Sequence, residues 1–379
     1  MAQSRVSETI VISGTGMFTP PESISNAELV ESFNQYVELY NEQNKADIES
    51  GKLVALSGST EEFIVKASGI KNRYVMNKSG VLDINRMTPD IPERTDDQMS
   101  IQCEIAVAAA KQAMENAHKK PEDIDGVIVA CSIFQRAYPA VSIEVQQALG
   151  IEGFAFDMNV ACSSATFAIQ NAKDSINAGS ARSILVISPE ICSGHLPWEE
   201  RDSHFIFGDI ATALVLEKAE AATSDNQWLI MDSQLKTAFS NNIRNNFGFL
   251  NRCEGPDANT NDKLFYQNGR KVFKEVVSIV STLILGHLSK NSIEVADLRR
   301  MWLHQANINM NKLIAKKVLG HAASNDAAPV VLDEYANTGC AGSIIAFHKY
   351  SQDLEIGDVG LICSFGAGYS AGSILVKKQ

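Results

Sequence analysis

The chain is expected to fold as an α/β protein made of two similar halves. Strand-like and helix-like patterns alternate along all 379 residues, as they do where a sheet is layered with helices. A strand–helix–strand unit also recurs. Asn159 to Ala168, a helix and Arg182 to Ser188 run parallel to Ala336 to Ile345, a helix and Val359 to Ser364. Leu361 stands 177 residues after Ile184, which sets Gly339 opposite Cys162. Each unit closes on a Phe-Gly turn and a strand: Phe207-Gly208-Asp209 in the first, Phe365-Gly366-Ala367-Gly368 in the second. Two such units packed about a pseudo-twofold bring their helix starts together at the centre. The halves divide into residues 1–225 and 226–379.

Taken in order, the strand candidates are Thr9 to Ile12, Gly126 to Ala130, Phe154 to Val160, Ser183 to Ser188 and Ala213 to Glu217. Trp228 to Leu235, Arg300 to Leu303, Val330 to Leu332, Gly360 to Ser364 and Ser373 to Val376 follow. Several are unbroken apolar runs, as strands covered on both faces are. Helices fit Ser100 to Asn116, Val141 to Leu149, Ser163 to Ala178, Gly269 to Ser289, Ile308 to Leu319 and Ala341 to Asp353. Two polar segments, Gln35 to Thr60 and Met76 to Asp97, read as inserted loops; the second carries Pro89 and Pro92.

Composition narrows the function. A net charge of −12 argues against nucleic acid, whose phosphates need concentrated Lys and Arg. Seven scattered cysteines show neither metal-ligand spacing nor a disulfide framework, which points to a reducing, cytoplasmic compartment and no metal. The N-terminus is polar, without an apolar leader core. The apolar stretch Val276 to Leu288 is short for a bilayer and is expected to be a core helix.

The chemistry gathers at three residues. Cys162 follows a strand and opens a helix among small neighbours, where unpaired N–H groups and the helix dipole favour thiolate. His304, in Trp302-Leu303-His304-Gln305-Ala306-Asn307, stands at a strand end before a helix. Asn337 lies in the small-residue turn Tyr335-Ala336-Asn337-Thr338-Gly339. Singly, each is a common structural residue. In this order, with the Phe365 to Gly368 turn behind them, they describe a nucleophile with hydrogen-bond donors.

At these residues the chain resembles the beta-ketoacyl-acyl carrier protein synthase III family of the thiolase superfamily. The resemblance runs from Gly14-Thr15-Gly16 through Ser68 to Arg73, the Cys162 helix, Phe207 to Asp209 and Asn268 to Phe273. It continues through His304 to Asn307, Asn337 to Gly339 and Phe365 to Gly368. It implies a five-layered αβαβα fold and a homodimer. Cys162 would take an acyl group from a coenzyme A or carrier-bound primer. His304 and Asn337 would hold the thioester carbonyl of malonyl-acyl carrier protein while it loses carbon dioxide. The backbone N–H groups of Cys162 and Gly368 would form the oxyanion hole. No cofactor is implied, because the carrier arms belong to the substrates. Non-decarboxylative joining of two acyl thioesters, or acyl transfer in polyketide or secondary metabolism, is the alternative.

Some positions depart from the family. Where many members hold adenine between a Trp and an Arg, this chain has Phe63 and Ala67, losing a cation–π partner. Asn307 matches a residue beside the pantetheine arm. Lys316 and Lys317, with Lys312 a helical turn earlier, match a carrier-docking face.

Overall fold

The computed structural model describes residues 9–255 and 260–379. The first eight residues, on which the expected lack of a leader core rests, lie outside them. The strands are β1 (Ile10–Phe18), β2 (Glu22–Ser25), β3 (Asn72–Val75), β4 (Gly126–Ala130), β5 (Phe154–Met158), β6 (Ser183–Ile191) and β7 (Asp209–Lys218). Then come β8 (Trp228–Ser240), β9 (Ile243–Arg244), β10 (Tyr266–Gln267), β11 (Leu298–Leu303), β12 (Val359–Gly366) and β13 (Gly368–Lys378). The helices are α1 (Asn26–Gln43), α2 (Lys45–Glu49), α3 (Glu61–Ser68), α4 (Lys78–Leu82), α5 (Ile101–Asn116) and α6 (Val141–Leu149). After these run α7 (Ser164–Asn177), α8 (Gly269–Lys290), α9 (Ile308–Leu319), α10 (Leu332–Tyr335) and α11 (Gly342–Lys349).

Nine strands join in the order β11-β12-β13-β8-β1-β7-β6-β4-β5. The order contains the repeat. β1-β7-β6-β4 and β8-β13-β12-β11 have the same directions: two antiparallel pairings and then a parallel one. Among the described residues the two half-sheets join where β1 pairs with β8, Val11 with Leu229 and Ile12 with Trp228. Helices α7 and α11 lie between them, where Ile169, Ala172, Ile344 and Phe347 share one core with Ile12, Ile128, Trp302 and Ile374. Helices α5 and α6 cover the outer face of the first sheet. Helices α8 and α9 cover that of the second. The result is the expected αβαβα stack. Trp228, Trp302 and Phe347 meet edge to face at 4.9 to 5.5 Å and tie α11 to β8 and β11. Each ring buries a large apolar area in a favourable quadrupole geometry.

Four expectations change. Val330 to Leu332 is not a strand, because the N–H groups of Val331 and Leu332 donate to the Gln305 side-chain oxygen at 3.0 and 3.2 Å. Much of Gln35 to Thr60 is helix rather than loop. The Ser25–Glu28 capping box starts α1, and Leu29, Phe33 and Val37 bury one face at a spacing of four. Helix α8 starts where expected and ends one residue later; by length and composition its 22 residues could cross a bilayer, which the short apolar stretch did not suggest, yet Val276, Val280, Ile284 and Leu288 pack into the core. The repeat register also shifts by one at the helix starts. Ala161 (φ 46) and Gly339 (φ 57) are the matching left-handed residues, so Cys340, not Gly339, stands opposite Cys162.

Candidate active site

Cys162 sits in the single 3₁₀ turn Ala161–Ser163 that enters α7. Ser163 and Ser370 pin this turn to β13 through a 3.0 Å hydroxyl contact. The position is the expected one; the charge state is not. Burial first, and then the charge of Glu190, push the thiol up to about 12. A helix dipole contributes roughly 0.3–1 kcal/mol, up to about 2, whereas burial can move a pKa by about 3–5 units. Desolvation wins, and the resting group is a neutral thiol.

His304 follows β11, its N–H donating to Cys363 O at 2.8 Å and its carbonyl accepting from the Asn311 side chain at 2.9 Å. The ring stands edge-on to Phe365 at 5.2 Å. Burial lowers its pKa to about 4, so the imidazole is neutral, and Nδ1 has no partner among the described residues.

Asn337 is held by its backbone, which donates to Ile206 O at 2.9 Å and accepts from Gly208 N at 3.0 Å. Its side-chain oxygen accepts from Gly339 N at 3.1 Å. That commitment leaves the amide N–H groups as the end free to donate. Ala161 and Ala336, each at positive φ, immediately precede Cys162 and Asn337. Non-glycine residues held there cost about 1–3 kcal/mol each and gather at functional sites.

Cys162, His304 and Asn337 line one cavity of about 540 Å³. Phe205, Phe207, Phe265, Phe273 and Met310 give it apolar walls, and Ala67, Asn307 and Arg270 also line it. Gly366 has to be glycine, since a Cβ there would lie 2.8 Å from the Cys162 sulfur.

The remaining expected residues fall in different places. Gly368 does not line this cavity. It forms a separate depression with Val160 and Phe239, because the chain has already turned into β13. The backbone of Ala367, in the same depression as Gly368, is near enough to the Cys162 sulfur to oppose part of its raised pKa. Asn307 lies in the cavity wall with both ends of its carboxamide engaged: it caps α9 at Asn309 N and Met310 N, and donates to Ala67 O at 2.7 Å. Phe63 stands behind Phe205, ring to ring at 5.8 Å, outside the cavity lining. Arg201 lays its guanidinium directly over the Phe63 ring, 3.9 Å from its centre. Lys312, Lys316 and Lys317 are exposed on α9.

Sequence reasoning missed Glu190. It is 1% exposed and accepts from Ser132 N at 3.0 Å and Cys340 N at 2.9 Å, bridging the two halves beside the thiol. A buried acid at the end of an apolar strand was the available signal. Gln305 and Arg201 were missed as well; both act across long sequence separations.

Comparison with known proteins agrees with the layered fold. A family profile described as 3-oxoacyl-[acyl-carrier-protein (ACP)] synthase III matches residues 156–238, and its C-terminal counterpart matches residues 288–378. The beta-ketodecanoyl-[acyl-carrier-protein] synthase of Pseudomonas aeruginosa is 57% identical over 350 residues, covering 92% of this chain and 100% of its own length. The beta-ketoacyl-[acyl-carrier-protein] synthase III of Ehrlichia canis is 31% identical, with 88% and 95% covered. The crystal structure of 3-oxoacyl-[acyl-carrier-protein] synthase III from Aquifex aeolicus superposes with a TM-score of 0.74 at 24% identity, over 97% of this chain and 99% of that one.

Proposed function

The chain belongs to the beta-ketoacyl-acyl carrier protein synthase III family, acyltransferases (EC 2.3.1) that carry out a condensation in fatty acid biosynthesis, and from that premise we propose how its residues divide the reaction. Cys162 attacks the carbonyl of an acyl primer. A carbon–sulfur bond forms to Cys162, the bond to the primer's carrier breaks, and the thiol proton leaves with the departing carrier thiol. The malonyl thioester of acyl carrier protein then enters. Neutral His304 and the free amide of Asn337 donate to its carbonyl as carbon dioxide leaves. The enolate forms the new carbon–carbon bond to the acyl carbon, the bond from that carbon to the Cys162 sulfur breaks, and the sulfur takes up a proton from solvent. Two fixed donors in a dry site are worth most where charge develops. The N–H groups of Ala367 and Cys162 would serve the acyl-cysteine oxyanion, in place of the pair expected with Gly368.

One observation carries this reading: the three side chains share a cavity in which the imidazole is neutral and the Asn337 oxygen is already taken. That cavity offers two fixed donors to a thioester oxygen, which suits decarboxylation. Intact-protein mass measurement after exposure to acyl thioesters tests it. His304→Ala should still gain the acyl mass and fail to condense; condensation at the parent rate would remove the role.

The Pseudomonas aeruginosa relative is named for a ten-carbon 3-oxoacyl product. Two of those carbons come from malonate, so its primer has eight. At this identity we assign a medium-chain primer here too. The substrates carry their own pantetheine arms, on coenzyme A or acyl carrier protein, so no cofactor enters the scheme. Lys312, Lys316 and Lys317 suit an acidic carrier, with Arg270 at the cavity wall. A homodimer is supported by the half-buried edge strand β5, where Phe154 and Phe156 stack at 6.4 Å. Seven free cysteines suit the cytoplasm.

A further inference from the structure

The reaction assigned above needs its two thioesters in one register. The acyl group rides on Cys162, in the first half of the chain, while His304 and Asn337, in the second, hold the malonyl thioester. One side chain reaches the turns of both Cys162 and Asn337. Glu190, near the end of β6, spreads its two oxygens over several donors. Oε1 accepts from Ser132 N at 3.0 Å and from Cys340 N at 2.9 Å. Oε2 accepts from Ser132 Oγ at 2.5 Å and from the thiols of Cys131 and Cys192 at 3.3 and 3.8 Å. On the first-half side the contact continues through Asn159. Its carboxamide donates to Ser132 O at 2.9 Å and accepts from Ala161 N at 2.8 Å, next to Cys162. On the second-half side Cys340 follows Gly339, whose own N–H fixes the Asn337 side-chain oxygen at 3.1 Å. Gly339 packs against the carboxylate so closely that a Cβ there would lie 2.5 Å from it. Both catalytic turns are thus tied to one buried group.

We propose that Glu190 is a positioning residue that sets the distance between the acyl-cysteine and the enolate, so that loss of carbon dioxide stays coupled to carbon–carbon bond formation. This rests on the acyl-cysteine reading and adds the part that aligns its two halves. A carboxylate suits the place because both of its oxygens only accept. Burying one is costly unless hydrogen bonds replace water. Here the replacements come from the residues after β4, the residue after β6 and the turn before α11, so satisfying the group also joins those elements. The role belongs to the oxygens as acceptors and is separate from the charge that opposes the thiolate. Without the tie the two turns are free to shift, and a misplacement of about 1 Å can cost about 10²-fold in rate. An enolate formed out of reach of the acyl carbon takes a proton from solvent instead. The malonyl thioester then ends as carbon dioxide and an acetyl thioester. Lost register therefore has a chemical signature that a plain loss of stability does not.

The measurement is the ratio of carbon dioxide released to 3-oxoacyl product, with octanoyl-coenzyme A and malonyl-acyl carrier protein as the probes. The parent chain should release one carbon dioxide per product. Glu190→Met keeps the length of the side chain and removes both acceptors. It should slow product formation at least about tenfold and raise the ratio at least about twofold, with acetyl-acyl carrier protein appearing. Glu190→Gln can still turn one oxygen to Ser132 N and Cys340 N, and should hold the ratio near that of the parent. Asn159→Ala cuts only the first-half arm, at an exposed side chain. It should raise the ratio by less, and serves if the Met variant fails to fold. A slowed Met variant with the parent's ratio would overturn the positioning role, as would a Gln variant uncoupled as fully as the Met variant. Should only Asn159→Ala fold, an unmoved ratio there does the same. The acyl mass on Cys162 of the parent chain separates the failures. If it is present, the acyl-cysteine reading stands and only the tie falls; if it is absent, both fall.

Discussion

Val160–Ser164 and Thr338–Gly342 start the two central helices with almost the same backbone. Val160 (φ −132, ψ 39) matches Thr338 (φ −109, ψ 42), and Ser164 (φ −52, ψ −42) matches Gly342 (φ −57, ψ −40). Between them each turn has a left-handed residue and then a cysteine. The sulfurs differ in what they meet. Cys162 opens on the cavity with Ala367 N–H beside it. Cys340 is fully buried, its sulfur donating to Ala130 O at 3.1 Å. Helix-start geometry therefore does not by itself make a nucleophile. Access does, together with the donors around the sulfur. Glu190 stands between the two turns, bonded to one and charged against the other.

The comparison breaks most visibly if the sulfurs are exchanged in importance. Cys162→Ala should reduce condensation by at least about 10³, whereas Cys340→Ala should keep most of the rate and lower stability by about 1 kcal/mol. Equal rate losses would mean that burial is not the distinction. The left-handed residues come next. A Cβ at Gly339 would lie 2.5 Å from the Glu190 carboxylate, so Gly339→Ala should cost about 3 kcal/mol in a denaturant titration. Ala161→Gly relieves the same φ and should be neutral or stabilising within about 1 kcal/mol.

A third test concerns the charge between the turns. With the thiol raised, its thiolate fraction at pH 8 is small. Iodoacetamide alkylation of Cys162 should climb about tenfold per pH unit from 8 to 10, without a plateau. Glu190→Gln removes a like charge and should shift that profile to lower pH, with a faster rate at pH 8. An unmoved profile would limit Glu190 to a packing role. The smallest effect is expected at the surface: charge reversal at Lys316 and Lys317 should raise the apparent KM for malonyl-acyl carrier protein a few-fold, most clearly at low salt.

The sequence showed the layered fold where its signals were local and repeated. β4, α6 and α9 have the bounds their patterns predict, because each is a short apolar run closed by clear turn signals. It failed where one residue acts over a distance. Gln305 takes the hydrogen bonds that Val331 and Leu332 would have given a strand, and nothing near residue 331 announces this. Helix α1 was hidden because Asn41 to Lys45 outweighed Leu29, Phe33 and Val37 in the reading. Cys162, His304 and Asn337 were legible as an ordered set. Their protonation was not, since burial is a property of the folded molecule. The Phe365 to Gly368 turn offers several N–H groups, and only the fold selects among them.

The missing fifth strand of the second half has a consequence for assembly. Beyond β11 the chain folds back as a loop, and Ala327 O already accepts from Met301 N at 2.8 Å. That end of the ladder is plugged, while β5 leaves the opposite end bare. A ladder with a single bare end adds one copy of itself and then has nothing left to extend. A pairing through β5 would therefore close at two copies, without the open-ended stacking that a sheet bare at both ends would invite.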